Sequence, residues 1–185
     1  MEIKSNDKIK KFFKRYGVLS LACVFSLAIA LTIAFSIPKD QPVSTEEVNF
    51  SLPMSDAVVA KDYADDRLQY NASLNRWEIH LSVDFASEND SVFSIYDGTV
   101  TSVDSNSLDG YVVTIDHGNG FVSVYSSLSD DVKVNELDKV TKGQEIGKAA
   151  ATATNESVDG SHLHFTLFKD GLEVDPNNYL DLQNK

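Results

Sequence analysis

The sequence predicts an antiparallel all-β domain carried behind a single N-terminal transmembrane helix. Three observations lead there. Short runs of alternating apolar and polar residues recur from Trp77 onward, each closed by glycine, asparagine or aspartate. That period of two is the mark of a half-buried strand. An Asn119-Gly120 pair stands between two such runs, and a type I′ hairpin turn needs the positive φ that these residues tolerate at both central positions. The 21 residues from Gly17 to Ile37 carry no charge, and a helix needs about 20 apolar residues to cross a bilayer.

Taken in order, residues 1–16 hold six basic residues against two acidic ones. Acidic residues dominate beyond the apolar stretch, so the positive-inside rule makes 1–16 a cytoplasmic tail, 17–37 the membrane helix and the rest extracytoplasmic. A cleaved signal peptide would have a shorter apolar core, about 7–15 residues, before its small-residue site. Here the apolar run continues past Ala28-Ile29-Ala30. Cys23 is the only cysteine, which excludes an intramolecular disulfide and leaves it a space-filling role in the helix. Residues 38–75 read as linker and lead-in. Prolines and charges without periodicity run to about residue 48. Asp62, Asp65, Asp66 and Arg67 then fall among scattered apolar positions, as in a short helix or an irregular segment.

Residues 76–185 are the expected folded domain. Strands are expected at 91–95, 99–103, 111–115 and 121–125, the last two joined through His117-Gly118-Asn119-Gly120 with His117 at the surface. A short strand follows the turn within 140–147, and 163–168 and 172–174 form a closing hairpin about Asp170-Gly171. Between them, 149–161 is a polar loop of thirteen residues. Loops of that length in a compact domain are often functional, and this one leads straight into His162.

Charge narrows the function. The chain carries a net −12, and because 1–16 is positive by four, the remainder carries −16. Such a body repels phosphates, which argues against a nucleic-acid partner and against lying flat on anionic lipid.

Histidine placement is more informative. There are four histidines. His162 and His164 are two apart in an alternating run, so in a strand both project from one face. His80 and Asp84 are four apart, again an even spacing that aims both the same way in an extended segment. Two histidines two apart are, alone, more often solvated side chains than ligands. Two such clusters on a chain poor in histidine point to a zinc inventory: three protein ligands and an open fourth position.

Across 77–180 the residues resemble the lysostaphin/LytM-type zinc metallopeptidases, which cut peptide bonds in peptidoglycan. The family's His-x-Gly-x-Asp motif is met by His80-Leu81-Ser82-Val83-Asp84, with Ser82 for glycine, and its His-x-His motif by His162-Leu163-His164. Gly98, Gly110-Tyr111, His117-Gly118-Asn119-Gly120, Tyr125-Ser126-Ser127-Leu128 and Lys142-Gly143-Gln144-Glu145-Ile146-Gly147 fall between them in the family's order. Val174-Asp175-Pro176 and Tyr179-Leu180 match its ending. The resemblance implies a LytM-like β-sheet fold, zinc held by His80, Asp84 and His164, and His162 as a catalytic histidine beside the metal. The implied chemistry is zinc-assisted hydrolysis, in which the metal activates water and polarises the scissile carbonyl.

One departure matters most. The family places a second catalytic histidine in Tyr-x-His-Leu, and here that position is Ser127. A hydroxyl is shorter than imidazole and a poor proton carrier, and losing one stabilising donor typically costs about 10²–10³ in rate. The layout is also similar to a sporulation subgroup of the family, in which the domain binds a second membrane protein across the gap between mother cell and forespore. The expected function is a membrane-anchored zinc-site ectodomain of the bacterial cell envelope, catalytically impaired and serving as a scaffold for another membrane protein. The alternative is an active zinc metalloendopeptidase cleaving peptidoglycan cross-link peptides, which retention of His80, Asp84, His162 and His164 favours. A purely structural zinc lies between the two.

Overall fold

Within Leu163–Lys169, Leu163, Phe165 and Leu167 are buried while His164, Thr166 and Phe168 are only partly so. One face of this strand therefore packs on the core and the other, with His164 and Thr166, is half-buried, and the same alternation begins Phe121–Leu128. The computed structural model describes residues 48–181. The tail expected at 1–16, the membrane helix expected at 17–37 and the first part of the linker lie outside the described residues. Among the described residues no helix is long and apolar enough to cross a membrane.

Twelve strands are found among the described residues: β1 (Val58–Lys61), β2 (Ala64–Asn71), β3 (Arg76–His80), β4 (Val83–Ala86), β5 (Ser91–Phe93), β6 (Gly98–Asn106), β7 (Gly110–Gly118), β8 (Phe121–Leu128), β9 (Lys139–Val140), β10 (Glu145–Lys148), β11 (Leu163–Lys169) and β12 (Leu172–Val174). The main sheet runs β1-β4-β11-β8-β7-β6-β9, with β12 also paired to β11. Each of its pairings is antiparallel. β5 pairs with β10, and β2 with β3, in two separate ribbons. Among the described residues helix is confined to two short 3₁₀ segments, Thr154–Asp159 and Pro176–Asn178. The all-β, antiparallel expectation is met.

The core is aromatic at its centre. Phe165 packs edge-on against Tyr125 at 5.3 Å and against Phe85 at 6.2 Å between ring centroids. The Tyr125 hydroxyl accepts a hydrogen bond from the Ile95 amide at 3.0 Å, and burial pushes its pKa up to about 12. The β7–β8 connection is the two-residue turn expected from sequence, with Asn119 at φ 51° and Gly120 at φ 78°.

Two expectations are corrected. The stretch 49–75 is neither helical nor a mere lead-in. The compact unit begins at Val48, Phe50, Met54 and Ala57 enter the core, and β1 and β2 follow. The acidic positions hid this because β2 and β3 pair mainly with each other and are largely exposed, so neither shows a clean buried face. Leu68, Tyr70, Trp77 and Ile79 are all exposed on this ribbon, and the tilted rings of Tyr70 and Trp77 pack across it at 5.5 Å. His117 is likewise not a free surface residue. Its Nδ1–H donates to the Asp97 carbonyl at 3.0 Å, its Nε2 accepts from Ser123 Oγ at 2.7 Å, and its ring packs against Phe50.

Candidate metal centre

The register of β4 against β11 places Asp84 directly opposite His164. On the outer side of β4, Lys61 of β1 stands opposite Asp84 as well. His80 closes β3, and the chain then breaks at Leu81-Ser82 before β4 begins. His80 and Asp84 therefore meet across a bend and not, as their spacing implied, along one extended segment.

The distances are short. His164 Nδ1 lies 2.8 Å and His80 Nε2 3.3 Å from Asp84 Oδ1. Yet both oxygens of Asp84 are buried without a hydrogen-bond partner. The rings approach the carboxylate without lining up to donate to it, as donor atoms do around a shared cation. Burial raises the pKa of Asp84, but the His164 and His80 rings outweigh it and hold the carboxyl below its ordinary value. His80 Nδ1–H donates to the Asp62 carbonyl at 2.9 Å, which leaves Nε2 with the lone pair facing the cluster. Such an outer partner is the usual way a ligating histidine is oriented.

Ser82, where the family motif has glycine, has no positive φ, so serine carries no left-handed strain here. Its hydroxyl stands 2.9 Å from His80 Nε2 and 3.5 Å from His164 Nδ1, inside the cluster.

A residue that the sequence reading missed completes the group. Glu156, in the 3₁₀ segment of the polar loop, is 3% exposed. Its Oε2 lies 2.8 Å from His164 Nδ1 and 3.4 Å from His162 Nε2, and its Oε1 lies 3.7 Å from His80 Nε2 and 3.3 Å from Lys61 Nζ. One ligand atom each from His80, Asp84, Glu156 and His164 fall within 4.8 Å of one another. The available signal was slight: Glu156 and Asp159 are the two carboxylates of the loop before His162. Burial opposes ionisation of Glu156, but His162, His164 and Lys61 hold it well below the usual carboxylate range. Burial lowers the pKa of His162, and the Glu156 carboxylate and the Gly160 carbonyl more than restore it. His162 meets the cluster through Glu156, its Nδ1 being committed to Gly160 at 2.9 Å. His80, Glu156 and His164 line a cleft of about 290 Å³ that also takes in Glu78, Thr166 and Glu173.

Ser127 does not join it. It is fully buried at φ 60°, and its hydroxyl donates to the Ala150 carbonyl at 2.7 Å. Its neighbour Ser126 is the residue that faces His164 across the β8–β11 pair.

Two imidazoles and carboxylate oxygens converging on one buried point are a donor set suited to zinc. The family model for peptidase family M23 matches residues 78–176. The chain belongs to peptidase family M23. The stage II sporulation protein Q of Bacillus subtilis (strain 168) is 28% identical to it over 214 residues, covering 94% of this chain and 74% of that protein. The solved SpoIIQ–SpoIIIAH pore-forming complex holds a chain 30% identical, with a TM-score of 0.63 over 72% of this chain and 91% of that one. The peptidoglycan DD-endopeptidase ShyA of Vibrio cholerae is 34% identical over 96 residues, 51% of this chain and 21% of ShyA. Sequence similarity thus runs along most of the chain with a sporulation protein and along about half of it with a hydrolase.

Proposed function

We propose that this chain is a membrane-anchored M23 ectodomain of the cell envelope that acts as a scaffold during sporulation, binding a second membrane protein of the SpoIIIAH kind. In this reading residues 1–16 are cytoplasmic, 17–37 span the membrane and the β domain lies outside. The likeness to stage II sporulation protein Q along 94% of the chain supports that layout. The observation that carries the impaired chemistry is Ser127: where the family uses an imidazole, this chain has a buried hydroxyl bonded to the Ala150 carbonyl.

His80, Asp84 and His164 would hold zinc, which supplies Lewis acidity when bound. The chain's own residues do the rest. Asp62 keeps the His80 proton on Nδ1, and Gly160 fixes the His162 ring. No imidazole stands at Ser127 to carry a proton to or from a substrate. Retention of the His80, Asp84 and His164 set favours the endopeptidase reading, and Ser127 weighs against it.

The test uses the full chain in membranes. A SpoIIIAH ectodomain should capture it, protease added to intact protoplasts should remove the β domain, and purified peptidoglycan should release no peptides above background. Hydrolysis at ordinary enzyme rates that disappears in His162→Ala, without capture of the partner, would overturn the scaffold reading.

A further inference from the structure

The carboxylate of Glu156 has a consequence for the type of metal site. Catalytic zinc sites use three protein ligands and leave a fourth position for water, whereas structural sites close all four. We infer that Glu156 is a fourth protein ligand, so that the centre is a closed His80–Asp84–Glu156–His164 site that staples the 149–161 loop to the sheet. This rests on the reading that His80, Asp84 and His164 hold zinc.

Three observations carry it. First, Glu156 Oε2 and Asp84 Oδ1 flank the same His164 nitrogen, each at 2.8 Å. Around tetrahedral zinc, with bonds of about 2.0–2.2 Å, ligand atoms stand roughly 3.3–3.6 Å apart. The His80–Asp84 distance of 3.3 Å already matches that spacing, the 3.7 Å from His80 to the other Glu156 oxygen, Oε1, falls just beyond it, and the 2.8 Å pairs need to open by less than about 1 Å.

Second, Glu156 is held in place by contacts that have nothing to do with a metal. Thr154 Oγ1 donates to the Ser107 carbonyl at 2.7 Å, Asn71 Nδ2 to the Asn155 carbonyl at 3.0 Å, and the Val158 amide to Ser73 Oγ at 3.0 Å. The loop is tied down on both sides of residue 156, to the β6–β7 turn and to the β2–β3 ribbon. A carboxylate positioned in this way is pre-organised as a ligand and not a passing counter-ion.

Third, the remaining contacts of Glu156 suit a ligand. Its Oε2 faces His162 Nε2 at 3.4 Å and its Oε1 faces Lys61 Nζ at 3.3 Å. Metal-bound carboxylates are commonly oriented by such outer partners. His162, which the family resemblance casts as catalytic, thereby becomes a positioning residue for Glu156.

The test is metal binding and coordination in the full-length protein in detergent, with zinc alone and with cobalt(II) as a spectroscopic substitute. Zinc affinity is read by chelator competition in the wild type, Glu156→Ala, Glu156→Gln and His80→Ala. Coordination is read from the cobalt visible spectrum before and after azide, a small anion that needs an open position. The expected result is a four-coordinate wild-type spectrum indifferent to azide. Both Glu156 variants should bind zinc more weakly by about ten-fold or more, since even outer-shell losses cost 10–100-fold, and Glu156→Ala should respond to azide. The glutamine variant preserves the side-chain volume should the alanine variant fail to fold. Unchanged affinity in both Glu156 variants with an azide-sensitive wild type would overturn the closed site and leave the three-ligand reading standing. A wild type that takes up no more metal than His80→Ala would overturn both.

Discussion

His164 Nδ1 stands 2.8 Å from Asp84 Oδ1 across the β4–β11 pair, yet neither oxygen of that buried aspartate has a hydrogen-bond partner. A buried carboxylate left in this state is costly, and a cation between ligand atoms relieves the cost.

Metal removal is the direct check on that relationship. Stripping zinc with a chelator should lower the thermal midpoint, and restoring zinc at 100 times its Kd should return about 2.7 kcal/mol. Asp84→Asn should unfold at the same temperature with or without zinc. A wild-type midpoint indifferent to both chelator and zinc would count against a metal at Asp84.

Restoring the absent imidazole should not by itself restore hydrolysis. Position 127 has positive φ, which histidine tolerates better than most residues, but Glu156 still fills the cluster. Ser127→His should leave peptide release from peptidoglycan at background, while Ser127→His with Glu156→Ala should raise it, by up to about 10²–10³ if one transition-state donor is regained. Equal release by the single and double variants would show that Glu156 does not obstruct the site.

His117 gives a pH dependence away from the cluster. Burial pulls its pKa below the ordinary 6.5, against weaker support from the Asp97 carbonyl and the Asp116 charge. The unfolded chain therefore binds the proton more readily. This contribution to stability is complete above 6.5 and is lost as pH falls through the lower, folded value. The stability difference between wild type and His117→Gln should shrink from about pH 7 to pH 5. Nitrogen-15 NMR should find the neutral ring protonated on Nδ1. A His117 titrating above 6.5 would contradict the burial argument.

Phe165 is fully buried between Tyr125 and Phe85. Phe165→Ala should cost about 3–5 kcal/mol in urea unfolding followed by circular dichroism. A loss below about 1 kcal/mol would mean that the aromatic centre repacks around the cavity.

Legibility in the sequence followed the range of the interaction. The β7–β8 hairpin was readable because its turn is local, with Asn119 and Gly120 supplying both positive φ angles. The closing β11–β12 hairpin was readable for the same reason, through Asp170 and Gly171. β1 and β2 were not, because their partners set them and no buried stripe marks them: β1 is the edge of the main sheet and β2 belongs to an exposed ribbon. Glu156 was invisible for a different reason. Its place depends on loop anchors at Ser107, Asn71 and Ser73, tens of residues away in sequence, and no spacing rule encodes where such a loop folds back. His117 was misplaced because Asp97 and Ser123, which hold it, lie on other strands or turns.

The ribbon has a practical corollary for watching this molecule at work. Trp77 is the chain's single tryptophan, and it sits 65% exposed, packed at a tilt against Tyr70 outside the core. Its indole already emits from a largely aqueous setting, so intrinsic fluorescence should barely change when the core melts. The same indole would shift to the blue as soon as anything covered the ribbon. Tryptophan emission in this protein is thus a poor thermometer of folding and a sensitive reporter of contact.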